Sequence, residues 1–207
     1  MGRSSRLLLV ATVVGVLTAS VAFAGIPDPA LSNVPNVITS PDGSLAYVVD
    51  VVGASGPIDS ALVQIIVGTE ADGIICWCVG QTHPTIEAFT NAAGQATFNI
   101  AAGGCVDSAL VVTPPAVEVF ANGIKIGQPG VVSADVVDSN GTLAQGGWTP
   151  GASCAVSVGD AVYFTPFIAN GTYGFCADLD SNGTVSLSDA VLVTPPIAFG
   201  ASCTAGP

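Results

Sequence analysis

The C-terminal third of this chain repeats itself. Val156 to Gly171 aligns with Val185 to Gly200 at an offset of 29 residues, and ten of the sixteen positions are identical. Upstream, Asp138-Ser-Asn-Gly-Thr142 recurs as Asp180-Ser-Asn-Gly-Thr184. A match this close means two copies of one supersecondary unit. Whatever fold the chain takes must therefore present the same small element twice, side by side.

The second copy contains a loop with an evident chemistry. Asp178 to Asp189 reads D-L-D-S-N-G-T-V-S-L-S-D. Oxygen-bearing side chains fall at loop positions 1, 3, 5, 9 and 12, and Gly183 stands at position 6, where the chain must bend sharply. That is the ligand spacing of an EF-hand calcium loop. Calcium takes six to eight oxygens, at about 2.3–2.6 Å. Asp178, Asp180 and Asn182 supply side-chain oxygens, Thr184 its backbone carbonyl, Ser186 a water-holding hydroxyl and Asp189 the closing carboxylate. Calcium is therefore the expected cofactor.

The first copy departs from this pattern. Asp138, Asn140 and Asp160 take positions 3, 5 and 12, which makes a second, weaker site. Asp135 lies one residue too far upstream for position 1. An insert of 13 residues, Leu143 to Ala155, carries Trp148 and Cys154 and interrupts the loop. The competing expectation there is an Asx-rich turn with no metal.

An Asp at position 12 followed by Ala-Val-Leu, in a loop that runs into a helix, resembles the type I dockerin module. That resemblance covers about 70 residues. It implies two calcium loops, each followed by a helix, with Val185 joining the loops through a short β-bridge. It also implies docking to a cohesin-like or other extracellular protein through loop positions 10 and 11, here Leu187 and Ser188. By extension it implies a link to polysaccharide degradation. The prolines argue for short helices. Pro166 stands six residues after Asp160, and Pro195 and Pro196 begin six residues after Asp189, so one or two turns is the expected length.

Residues 26 to 133 have a different texture. Leu45 to Val52, Ala61 to Val67, Gln95 to Ala101 and Val117 to Ala121 are short runs rich in β-branched and aromatic residues, and turn signals recur between them. Asn122-Gly123 marks a two-residue hairpin. Asp50-Val-Val-Gly53-Ala-Ser-Gly56-Pro57 through Val63, together with Thr90-Asn-Ala-Ala-Gly94-Gln-Ala96-Thr-Phe98, resembles the bacterial Ig-like domain of the invasin type. In that family the Gly turn feeds a core strand, here carrying Phe98 and Ile100. The fold class expected is thus mainly β: an Ig-like β-sandwich over 25–133, then a small EF-hand or dockerin-like module with two short helices over 134–207.

Residues 1–24 read as an export signal, with Arg3 and Arg6, an uncharged apolar run and Ala22-Phe23-Ala24 before the cut. Cleavage leaves Lys125 as the sole positive charge against 15 acidic residues. Such a chain is a poor partner for nucleic acid or an anionic membrane, and cations are its natural counterparts. No later stretch reaches the length of a membrane span, so no insertion follows cleavage. The expected location is secreted, extracellular or cell-surface.

Six cysteines in an exported chain suggest disulfides. Cys105 with Cys76 or Cys78, and Cys176 with Cys203, are the pairings considered. A zinc site from Cys76, Cys78, Cys105 and His83 matches no common spacing. Glu70 and Asp72 could form a glycosidase pair, but they read as solvated turn residues. There is no Gly-x-Ser-x-Gly motif and only one His. The chain is expected to be a non-catalytic binding protein. The alternative is a cell-surface or matrix adhesion protein whose calcium repeat is purely structural.

Overall fold

The computed structural model describes residues 25–40, 46–69, 75–77, 84–107, 115–136, 153–199 and 202–204. It is mainly β with two α-helices. In chain order the strands are β1 Val37–Ser40, β2 Ala46–Asp50, β3 Val52–Gly53, β4 Gly56–Pro57, β5 Leu62–Val67, β6 Ile75–Trp77, β7 Thr85–Phe89 and β8 Gln95–Asn99. They continue as β9 Ala102–Val106, β10 Val117–Ala121, β11 Ile124–Gly127, β12 Gly130–Ser133, β13 Ser153–Ala155 and β14 Ser202–Thr204. Helix α1 is Val158–Asn170 and helix α2 is Leu187–Phe199, with a 3-10 turn Phe175–Ala177 between them.

Two four-stranded sheets carry most of the structure, ordered β1-β12-β9-β6 and β11-β10-β5-β7. The second is antiparallel throughout, whereas β1 runs parallel to β12. Alternation in the sequence sets the faces. In β5 it buries Val63, Ile65 and Val67, and in β10 Val117, Val119 and Ala121. β8, paired with β2, buries Ala96 and Phe98, and Ile100 follows them inside. These side chains meet Ile38, Tyr47, Val49 and Val131 in one apolar core.

Turn chemistry sets the register. Asn122 and Gly123 both have positive φ (47° and 80°), as a tight hairpin between β10 and β11 requires. Thr90 is buried and pins two loops together. Its hydroxyl donates to the Ile58 carbonyl (2.6 Å) and accepts from the Ala61 N–H (2.8 Å). Asn91 caps the following turn through its side-chain oxygen, which accepts from the N–H groups of Ala93 and Gln95. Gly94 closes that turn at φ 77°, where a Cβ would lie 2.6 Å from the Val51 carbonyl oxygen. The Thr-Asn-Ala-Ala-Gly segment is therefore a backbone device that feeds β8 into the core.

A second apolar cluster is drawn from both sides of residue 133. Cys105 and Val132 from the sheet join Ala134, Val136, Phe164, Ala177, Leu179 and Val193. A disulfide links Cys105 in β9 to Cys176 in the 3-10 turn. This corrects the pairings of Cys105 with Cys76 or Cys78 and of Cys176 with Cys203. It also removes Cys105 from any zinc site; Cys78 and His83 lie outside the described residues. The reason is tertiary: Cys105 belongs to the second apolar cluster and Cys176 packs against it, which brings together two cysteines separated by 71 residues. In β13 and β14, Cys154 stands directly opposite Cys203 in antiparallel register.

The helices correct a second expectation. Each has 13 residues and runs through its prolines, Pro166 in α1 and Pro195 with Pro196 in α2. A proline removes one backbone hydrogen bond and strains the preceding turn, at a cost of about 3 kcal/mol. Burial beyond the prolines offsets it, because Phe167, Ile168 and Ile197 pack against the second cluster. Val185 makes no β-bridge among the described residues; it and Val156, its equivalent in the first copy, each pack against that same cluster. No helix among the described residues is long and apolar enough to cross a membrane.

Candidate metal centre

The loop from Asp178 to Asp189 folds around its own acidic side chains. The 3-10 turn ends at Asp178, and α2 begins at Leu187. Between them the chain turns back twice, with Ser181 at φ 55° and Gly183 at φ 86°. Backbone N–H groups point inward. Asn182 and Gly183 donate to the two oxygens of Asp178 (3.0 and 2.8 Å). Asp189 reaches back from the first turn of α2, accepting from the N–H of Asp180 on one oxygen (3.1 Å) and of Ser186 on the other (2.9 Å).

Asp178, Asp180 and Asp189 are thereby brought together, each offering an oxygen within 4.8 Å of the others. Asp178 and Asp189 are buried and Asp180 is exposed. Burial raises the Asp178 carboxyl above its usual range; the N–H groups of Gly183 and Asn182 partly offset this, and the charges of Asp189 and Asp180 add to it. Like charges held this close call for a counter-cation. Asn182 turns its side-chain oxygen to the N–H and hydroxyl of Thr184 (2.9 and 2.6 Å). The Ser186 hydroxyl meets that of Ser188 (2.7 Å) and lies 3.4 Å from Asp189. Every donor atom is a hard oxygen, so the cluster could hold a hard metal cation in preference to a thiolate-seeking one. Of the two positions expected from sequence to meet a partner, Leu187 is 69% exposed, and Ser188 is exposed but tied by its hydroxyl to Asp180 (3.2 Å).

Two neighbours were not legible from the motif. Tyr173 hydrogen-bonds the Asp178 carboxylate, and its own hydroxyl is held above its usual range by burial first and the Asp178 charge second. Thr39 of β1 hydrogen-bonds Ser181 through their hydroxyls (3.1 Å), across 142 residues of sequence. Nothing local in the sequence signals such a contact.

The first copy is only partly within the described residues. Asp138 and Asn140 lie outside them, as do Trp148, Glu70 and Asp72. Asp160 is fully buried and repeats the bonding of Asp189. One oxygen accepts from an upstream N–H, that of Val136 (2.8 Å), and the other from the N–H of its capping serine, Ser157 (2.7 Å). The two copies thus close their helices by the same capping box. Asp135, set aside on spacing, is buried beside Asp160. Desolvation, then the Asp160 charge, pushes its carboxyl up to about 7, and a hydrogen bond from the Ala155 N–H acts the other way.

No family model, no curated protein and no solved structure matches this chain.

Proposed function

We propose that this chain is an exported, non-catalytic binding protein whose C-terminal repeat is ordered by calcium. The ligands are Asp178, Asp180, Asn182, Thr184, Ser186 and Asp189. The observation that carries this reading is the convergence of three carboxylates within 4.8 Å in a loop whose spacing is that of a calcium motif. Calcium would supply the positive charge that this chain lacks, since Lys125 is already paired with Glu118 (2.6 Å).

In this reading residues 1–24 are a cleaved signal, 25–133 an Ig-like sandwich and 134–207 a dockerin-like module. Two four-stranded sheets around one core support the sandwich. Docking to an extracellular partner is supported by an exposed apolar pair on each helix. Val158 and Val162 in α1 match Leu187 and Val191 in α2, each pair four residues apart and so on one face. A cohesin-like domain on a scaffold, linked to polysaccharide degradation, is the partner class this implies.

The second reading is a surface or matrix protein whose repeat is purely structural. The Cys105–Cys176 bond and the shared cluster favour it, because they join the repeat to the sheets instead of leaving it free to reach a partner.

Calorimetric titration with calcium tests the common ground. At a hundred times the dissociation constant, calcium should add about 2.7 kcal/mol of stability. No heat and no change in melting temperature would sink the calcium reading. Leu187→Asp combined with Val191→Asp separates the two functions. It should abolish capture by a cohesin-like domain while calcium binding is unchanged; the structural reading expects no capture by either protein.

A further inference from the structure

We propose that the acidic loop is a clasp on the β part: ordering the loop with calcium also fixes the edge strand β1, through a row of residues that crosses three strands. This inference rests on the reading of Asp178 to Asp189 as a calcium loop, and adds what that loop controls. The row is Thr39, Val132 and Cys105. Thr39 of β1 stands opposite Val132 of β12, and Val132 stands opposite Cys105 of β9. The next row, Ile38, Val131 and Val106, faces the other way, into the main core. Each member of the outer row meets the start of the second copy. Thr39 and Ser181 share a hydrogen bond between their hydroxyls (3.1 Å), Val132 belongs to the same apolar cluster as Leu179, and Cys105 is bonded to Cys176. The chain from Cys176 to Ser181 therefore crosses the sheet from β9 to β1.

Within that segment, anchors and carboxylates alternate. Leu179 and Ser181 hold to the β part, while Asp178 and Asp180 converge with Asp189. Fixing the carboxylates thus restricts the same few backbone bonds that seat Leu179 and Ser181. Strand β1 has the most to gain. It has four residues and, among the described residues, pairs only with β12. A short strand held by one ladder opens at low free energy. Its Ile38 is nevertheless fully buried in the main core, so the order of β1 matters to the whole β part. Val37, on the same side as Thr39, packs against the second cluster. Coupling between two sites is reciprocal. An ion that tightens β1 is itself held more tightly when β1 is in place.

The test uses the full oxidised chain, with calcium alone as the probe. Calorimetric titration reads uptake, and amide exchange is followed in chelator and in saturating calcium. Calcium should slow exchange at Val37–Ser40 by more than in β7, an edge strand of the other sheet. Thr39→Val should weaken calcium binding about two- to fivefold and shrink the slowing in β1. Thr85→Val, which removes a hydroxyl from β7, should do neither. Thr39→Val combined with Ser181→Ala should bind no more weakly than Ser181→Ala alone, because that change has already broken the pair. Calcium uptake with unchanged exchange in β1, or with equal slowing in β1 and β7, overturns this inference and leaves the calcium reading of the loop standing. Equal affinity in Thr39→Val and the unaltered chain also overturns it. No uptake at all overturns both. Should Thr39→Val fail to fold, the exchange measurement on the unaltered chain decides.

Discussion

Asp189 does three tasks with one carboxylate: it caps α2 through Ser186, accepts the N–H of Asp180 and faces Asp178. Asp189→Ala should therefore remove most of the stabilisation that calcium confers, read as the loss of the calcium-induced rise in melting temperature. It should also lower stability without calcium, by about 1 kcal/mol for the lost cap. Thr90 is the comparable residue in the β part. Its hydroxyl satisfies a buried carbonyl and a buried N–H at once. Thr90→Val keeps the shape but leaves both groups unpaired, and denaturant unfolding should show a loss of about 1–3 kcal/mol. Sequence reading found Thr90 as part of a motif and Asp189 as a ligand. It passed over Asp135 because a spacing rule counts positions along the chain, and Asp135 reaches its neighbour through space.

At the scale of elements, the helices show how packing overrules a local rule. Proline spacing argues for one or two turns, yet both helices extend to 13 residues because their far ends carry apolar side chains into the second cluster. Their starts obey local chemistry closely. Ser157 accepts the N–H of Gly159 (3.1 Å), and Asp160 answers from the third helical position. Ser157→Ala should cost about 1 kcal/mol, measurable by chemical denaturation. It should also loosen Asp160, whose Oδ2 takes the Ser157 hydroxyl (2.9 Å). The strands were more legible. Val117–Ala121 matches β10 end to end, and the Asn122-Gly123 hairpin lies where its turn signal places it.

For the whole molecule, the decisive feature is the bond between Cys105 and Cys176. It closes a long loop and ends two residues before the start of the acidic loop, Asp178. Replacing both cysteines by Ala should cost about 4 kcal/mol from the loop-closure entropy alone. The check is equilibrium unfolding of the variant against the oxidised chain. Stability should also depend on pH in a set direction. The Asp135 carboxyl sits at about 7 in the folded chain, above the ordinary value near 4, and Asp178 is shifted the same way. The folded state thus binds more protons than the unfolded one across that window. The contribution is full below pH 4 and is lost as pH rises towards 7. In chelator, thermal melts should show stability from this source falling over that range by a few kcal/mol. If the loop takes calcium as proposed, saturating calcium should flatten the part of the slope that comes from Asp178, because a cation then replaces the proton there.

The sequence by itself determined the parts that depend on near neighbours. The convergence of the loop carboxylates, the capping serines, the Asn-Gly hairpin, the Thr90 to Gly94 turn and the alternating strands all follow from spacings of a few residues, at which side chain and backbone chemistry act directly. Tertiary structure alone decided which cysteines pair, how long the helices run, that Thr39 meets Ser181 and that Asp135 is buried against Asp160. Those outcomes depend on how the second apolar cluster closes over β9. Burial of that kind is a sum over residues far apart in the chain, so no local pattern can carry it.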